Sequence, residues 1–157
     1  MERITVCKEV TFDCAHMLSG HTGLCANLHG HTYKVQVLIE DAPINQRGTS
    51  SDQMVIDFKD LKQCIQDEIV QNFDHAIIFS NTAFRSRPEQ ELYEWARKNK
   101  MRHYVMPKRT TAECMAEHFT DLLFEAFLEK GVQQANMPKH IGVKVWETPT
   151  SCAEVIR

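Results

Sequence analysis

From Ile4 to His16 the chain alternates. Ile4, Val6, Val10, Phe12 and Cys14 fall on one parity, interrupted by Lys8, while Arg3, Thr5, Glu9, Thr11 and Asp13 fall on the other. That is the period of a strand with one buried face, and His16 ends its apolar side. A second alternation sets Tyr33, Val35, Val37 and Ile39 against Thr32, Lys34 and Gln36. Residues two apart on a strand point the same way, so running this parity back puts His29 and His31 on the Tyr33 face. The intervening "SGHTGLCANLHG" is punctuated by Gly20, Gly23 and Gly30 and reads as a loop. The two strands are predicted to pair antiparallel, which would bring His16 opposite His29 and His31.

Beyond a polar connection, "EDAPINQRGTSSDQ", the period changes to that of a helix. Asp57 caps a predicted helix running to about Asn72, with Phe58, Leu61, Cys64, Ile65 and Ile69 at helical spacing. A second long helix is predicted from a capping box at Thr110 and Glu113. Its stripe is Met115, Phe119, Leu122, Leu123 and Phe127, and Gly131 closes it. Between the two, Pro88 opens a shorter helical stretch with Leu92, Trp95 and Ala96 on one side, and its polar end "RKNKMRH" reads as surface. Ile141, Val143 and Val145 then mark a strand, "TPTS" a turn and "CAEVIR" a last strand. The expectation is a single α+β domain over residues 1–157, with a four-stranded antiparallel sheet and two long helices packed on one face.

Charge narrows the partners. With 18 basic and 21 acidic residues among 157, the net charge is −3, which leaves no broad basic footprint for nucleic acid. No apolar run reaches the roughly 20 residues of a membrane helix. The six cysteines form no CxxC pair and no leader-like segment is read, so reduced thiols in the cytoplasm are expected. Cys7, Cys14, Cys64, Cys114 and Cys152 are taken as small buried hydrophobes.

The candidate chemistry gathers where the first two strands end. His29 and His31 could bind zinc through neutral imidazole nitrogens, and His16 supplies the third ligand that such a site needs. Three histidines with an open fourth position is a catalytic arrangement; His-Gly-His alone fits packed or surface histidines better, and His16 with Cys25 reverses that balance. Cys25, four residues before His29, could hang over the metal as a thiolate base or nucleophile, or be a plain buried side chain. In "NFDHAIIF", Asp74 could orient His75 for proton relay, or the pair could be an ordinary surface loop. Glu147 ends a strand, where a carboxylate could take two hydrogen bonds from an amino-heterocycle or stay solvated. Arg102, Lys108 and Arg109 could offer positive charge to a phosphorylated ligand, or be solvated surface.

Taken in order, His16, Cys25, "LHGH", "MVIDF", "FDH", "TTAE" and "VWET" resemble the 6-pyruvoyltetrahydropterin synthase family over nearly the whole chain. The three residues between Cys25 and His29, with "MVIDFKDLK", look like its bacterial branch, the 6-carboxytetrahydropterin synthases of queuosine biosynthesis. The resemblance implies the T-fold, a homohexamer made as a dimer of trimers, active sites at subunit interfaces, and a 7,8-dihydroneopterin triphosphate substrate. It implies Zn2+ on His16, His29 and His31, proton transfer by Cys25 with Asp74 and His75, and a pterin anchored by Glu147 near Thr111. The expected products are 6-carboxy-5,6,7,8-tetrahydropterin, acetaldehyde and triphosphate. Alternatives are pyruvoyl formation, another T-fold pterin activity and a non-enzymatic metal-binding assembly protein. Departures from the family pattern are an insertion at about 81–108, Cys14 in place of a small residue, and Gln53 in place of a common glycine.

Overall fold

The computed structural model describes residues 2–129 and 138–157. Strands β1 (Ile4–His16) and β2 (His29–Asp41) pair antiparallel along their full lengths, from Ile4 opposite Asp41 to His16 opposite His29. The alternation explains the pairing. Tyr33, Val35, Val37 and Ile39 are all buried on one face of β2, together with Phe12 and Cys14 of β1, whereas Glu9, Thr11 and Asp13 on the other face of β1 are exposed. A register slip of one residue would turn every one of these side chains to the wrong side.

Along its other edge β2 pairs antiparallel with β5 (His140–Thr148), which pairs with β6 (Ser151–Ile156). On the far side of β1 the expectation fails. The sheet has six strands rather than four, because β3 (Ala76–Phe79) and β4 (His103–Val105) extend it in the order β4-β3-β1-β2-β5-β6. Both added pairings are parallel, so the sheet is mixed. These strands carry no legible period: β3 is a four-residue apolar run and β4 has three residues, too short for alternation to declare itself.

Helix α1 (Phe58–Ile65) begins where Asp57 accepts the Lys59 amide at 2.7 Å. It continues through a π turn (Gln66–Val70) into α2 (Gln71–Phe73). The π turn absorbs one extra residue, and Ile69 within it and Phe73 beyond it are both fully buried. Phe73 lies 4.2 Å from the Tyr104 ring and 4.8 Å, edge to face, from Phe119. Phe119 sits on α4 (Ala112–Glu129), whose buried face is Met115, Ala116, Phe119, Thr120, Leu123, Ala126 and Phe127. Each large apolar side chain buried between these helices and the sheet contributes about 1.5–3 kcal/mol.

The helix caps need one correction. Thr111, not Thr110, caps α4, its hydroxyl accepting the Cys114 amide at 3.3 Å, while the Thr110 hydroxyl donates to the Met17 carbonyl. The expected Gly131 stop lies outside the described residues. Helix α3 (Arg87–Lys98) is capped by Ser86 and carries Pro88 in its first turn. Its buried side is Glu89 and Ala96, and Trp95 is exposed instead. The polar end expected as surface leads directly into β4. Two of the five cysteines read as buried, Cys7 and Cys152, are exposed. Among the described residues no helix is long and apolar enough to cross a membrane.

Candidate metal and catalytic site

His16 closes β1 opposite His29, which opens β2, and His31 stands two residues along the same face. Their ring centroids lie 4.7, 5.3 and 4.9 Å apart, and one nitrogen from each falls within a 4.8 Å cluster. Gly30 is required between the two histidines of β2 because a Cβ there would sit 3.2 Å from the Cys14 carbonyl oxygen.

Backbone carbonyls set the tautomers. His16 Nδ1 donates to the Thr110 carbonyl at 2.9 Å and His29 Nδ1 to the Asn27 carbonyl at 2.7 Å. In a neutral imidazole this leaves Nε2 as a lone-pair donor, the orientation seen when a histidine ligand is held from behind. His29 Nε2 and His31 Nε2 are buried without any hydrogen-bond partner, a condition that native proteins rarely tolerate without a reason. Burial also lowers the basicity of two of the rings. It pulls His16 down to about 4 and His31 below its ordinary value, against the opposing pull of Glu147. Three converging imidazole nitrogens fit a zinc ion, whose ligands must be deprotonated.

Glu147, near the end of β5, lies against the cluster, with Oε1 3.4 Å from His16 Nε2 and 3.6 Å from His31 Nε2. Tyr33 holds it there, the hydroxyl donating to Oε1 at 3.2 Å while lying 3.3 Å from His16 Nε2. Burial pushes the Tyr33 phenol well above its ordinary range, so it remains a donor. This tyrosine escaped the sequence reading because its place in the apolar alternation already accounted for it.

Cys25 is half-buried in a short 3-10 turn, Leu24–Ala26, and its carbonyl accepts the Leu18 amide at 2.8 Å. Asp74 and His75 form a pair of their own. Their side chains meet at 2.9 Å, and Asp74 Oδ1 also accepts the Asp13 amide at 3.1 Å. That backbone donor, with the imidazole, holds the Asp74 carboxyl below the usual range. His75 adopts a left-handed φ of 59° and is largely exposed. It lines a groove of about 440 Å³ with Asp13, Ala15, Gly30, His31 and Thr32. Among the described residues no hydrogen bond or ion pair joins the Asp74–His75 pair to Cys25 or to the three histidines.

The three basic residues considered for a phosphorylated ligand already have protein partners. Arg102 donates to the Asp74 and Gln71 carbonyls, Lys108 pairs with Glu117 at 2.7 Å, and Arg109 donates to the Ser19 carbonyl at 2.7 Å.

The family described as 6-pyruvoyl tetrahydropterin synthase matches residues 5–157. The chain belongs to this family. It is 38% identical over 149 residues to a Haemophilus influenzae protein named 6-carboxy-5,6,7,8-tetrahydropterin synthase, covering 95% of this chain and 96% of that one. A Rickettsia felis protein of the same name is 28% identical over 150 residues, covering 94% and 96%. Among solved structures, the 6-pyruvoyl tetrahydropterin synthase of Plasmodium falciparum superposes with a TM-score of 0.72 at 21% identity, over 99% of this chain and 98% of its own. The family's fold, the T-fold, is therefore the one this chain adopts.

Proposed function

We propose that the protein is a zinc-dependent lyase that converts 7,8-dihydroneopterin triphosphate to 6-carboxy-5,6,7,8-tetrahydropterin, acetaldehyde and triphosphate, in queuosine biosynthesis in the cytoplasm. The observation that carries the reading is the histidine cluster, in which the buried Nε2 atoms of His29 and His31 have no hydrogen-bond partner among the described residues. The names of the Haemophilus and Rickettsia relatives support the carboxy product.

His16, His29 and His31 would hold the zinc, which polarises oxygens of the substrate side chain and so eases loss of a neighbouring proton near neutral pH. Cys25 takes that proton as a thiolate. Glu147, steadied by Tyr33, accepts hydrogen bonds from the amino edge of the pterin, and Thr111 stands near the ring at the start of α4. Asp74 orients the His75 imidazole through the 2.9 Å contact. Since His75 faces outward, it serves the Cys25 of a neighbouring subunit in a homohexamer built as a dimer of trimers. Residues 81–108 are an insertion in this domain.

The test is to load the protein with zinc, supply 7,8-dihydroneopterin triphosphate, trap the aldehyde and weigh the pterin. Acetaldehyde with the carboxy product is expected. A pyruvoyl product without acetaldehyde would overturn the product assignment and leave family membership intact.

A further inference from the structure

The first turn of α3 contains a Ser-x-x-Glu pair, Ser86 and Glu89, of the kind that ordinarily closes on itself. The serine hydroxyl accepts the amide of the glutamate, and the carboxylate reaches back to the amide of the serine. Here only the first half forms, the Ser86 hydroxyl accepting the Glu89 amide at 3.5 Å. The Ser86 amide donates to the hydroxyl of Ser19 at 2.8 Å, and the Ser19 hydroxyl in turn donates to Glu89 Oε2. A residue far away in sequence is thus inserted between the two halves of the cap. Glu89 is fully buried, and its other oxygen accepts the Ser80 amide at 2.7 Å. A buried carboxylate needs such donors, since an unmet one is costly to keep from water.

Ser19 lies three residues beyond His16, in the loop that leads to Cys25. It is held twice, by its hydroxyl in the α3 cap and by its carbonyl, which accepts Arg109 at 2.7 Å. The adjacent Leu18 amide is bonded to the Cys25 carbonyl at 2.8 Å, and the Leu18 carbonyl accepts the His21 amide at 3.1 Å. The Cys25 turn is thereby tied to Leu18, and Leu18 is tied to α3 through its neighbour. Cys25 makes no side-chain hydrogen bond of its own among the described residues, so its position depends on the backbone of this loop.

We propose that Ser19 and Glu89 are positioning residues for the Cys25 thiol, and that α3 serves as the anchor of the loop that carries it. The inference rests on Cys25 being the reactive thiol of the proposed function. Its geometric part can be read without turnover.

Two measurements on the zinc-loaded protein test it. The first is the alkylation rate of Cys25 by iodoacetamide, resolved from the other cysteines by peptide mass; the second is kcat and KM for dihydroneopterin triphosphate. In Ser19→Ala, Cys25 should alkylate about fivefold faster, the factor by which one lost buried hydrogen bond shifts a local opening equilibrium. Its kcat should fall about tenfold or more, because small displacements of a reacting group are costly, with KM and zinc content unchanged. Ser19→Thr, which keeps the hydroxyl, should restore both. Arg87→Ala is the control, since it breaks the exposed Arg87–Glu91 pair on α3 without touching Ser19 or Glu89, and kcat should be retained. If Ser19→Ala does not fold, Glu89→Gln, which keeps the shape and one acceptor, should move both readouts in the same direction. Wild-type alkylation and kcat in the variants that fold would overturn the proposal. A fully active Cys25→Ala would instead overturn the catalytic reading, and the alkylation rates would still report whether Ser19 positions the loop.

Discussion

His16 and His29 face each other directly across the β1–β2 pair, their rings 4.7 Å apart, and each is held from behind by a backbone carbonyl. Neither ring needs to turn to present Nε2 to the centre. Replacing His29 or His31 by alanine should therefore remove the zinc without unfolding the hairpin. Losing an outer partner of a zinc ligand weakens binding by about 10–100-fold, so losing a ligand should cost more than about 100-fold. Metal analysis after dialysis against a chelator measures this, and full zinc occupancy in either variant would contradict the site.

Glu147→Gln separates anchoring from metal binding. The amide preserves shape and can still accept from Tyr33, but it loses the charge and one acceptor. A hydrogen bond to a charged group contributes about 1.5–3 kcal/mol, so substrate affinity should fall by roughly ten- to a hundredfold. Titration calorimetry with the pterin, alongside zinc analysis, reads both quantities. Zinc content should stay at the wild-type level, and a fall in it would make Glu147 a ligand instead.

Gln53 carries a φ of 66°, in the left-handed region, in an exposed turn where its amide bonds to the Ile44 carbonyl at 2.7 Å. Glycine adopts that conformation without steric cost, although it gives up more entropy on folding. The Gln53→Gly variant should be more stable by about 0.5–1 kcal/mol, the relief of strain less the entropic loss. Urea unfolding would show the midpoint rise, and a fall would mean that the side chain contributes contacts that outweigh the backbone.

Acid should destabilise the chelated, metal-free protein in a defined window. Burial holds His16 at about 4 in the folded state, against about 6.5 in the unfolded chain. Between these values the unfolded state binds more protons, so stability drops as pH falls from about 6.5 to about 4, by at most about 1.4 kcal/mol per pH unit from this residue. Below that window the contribution levels off. His118, half-buried beneath the Tyr104 hydroxyl at 2.7 Å and also lowered by burial, acts in the same direction. Urea midpoints followed across this range should decline with pH, and a flat profile would contradict the burial of these rings.

The β1–β2 register was legible because thirteen-residue strands repeat their alternation often enough to fix parity, and parity alone placed His16, His29 and His31 on one face. The same logic could not reach β3 or β4, whose pairing is decided by what they pack against. Trp95 misled because it sits at the edge of a face whose buried centre is Ala96 with Glu89, and helical spacing does not say where a face ends. A carboxylate in a polar helix looks solvated in sequence; only the Ser-x-x-Glu spacing after Asn81 hinted at a cap, and nothing hinted that Ser19 would enter it. Asp74 and His75 were legible as a pair, while the lack of a hydrogen bond or ion pair from them to Cys25 among the described residues is a matter of tertiary placement.

The π turn at Gln66–Val70 limits how this part of the chain can change length. It accommodates one residue more than a regular turn would, so the excess is absorbed where it occurs. Deleting a single residue there would let the turn close as a regular helix and leave the side chains beyond it in phase. Phe73 would stay against the rings of Tyr104 and Phe119, and Asp74 on the Asp13 amide. A further insertion has no such outlet and would rotate everything beyond it by about 100°. Related sequences that keep the Asp-His pair should therefore show single-residue gaps in this stretch but not single-residue insertions, whereas the exposed turn around Gly48 can lengthen or shorten freely.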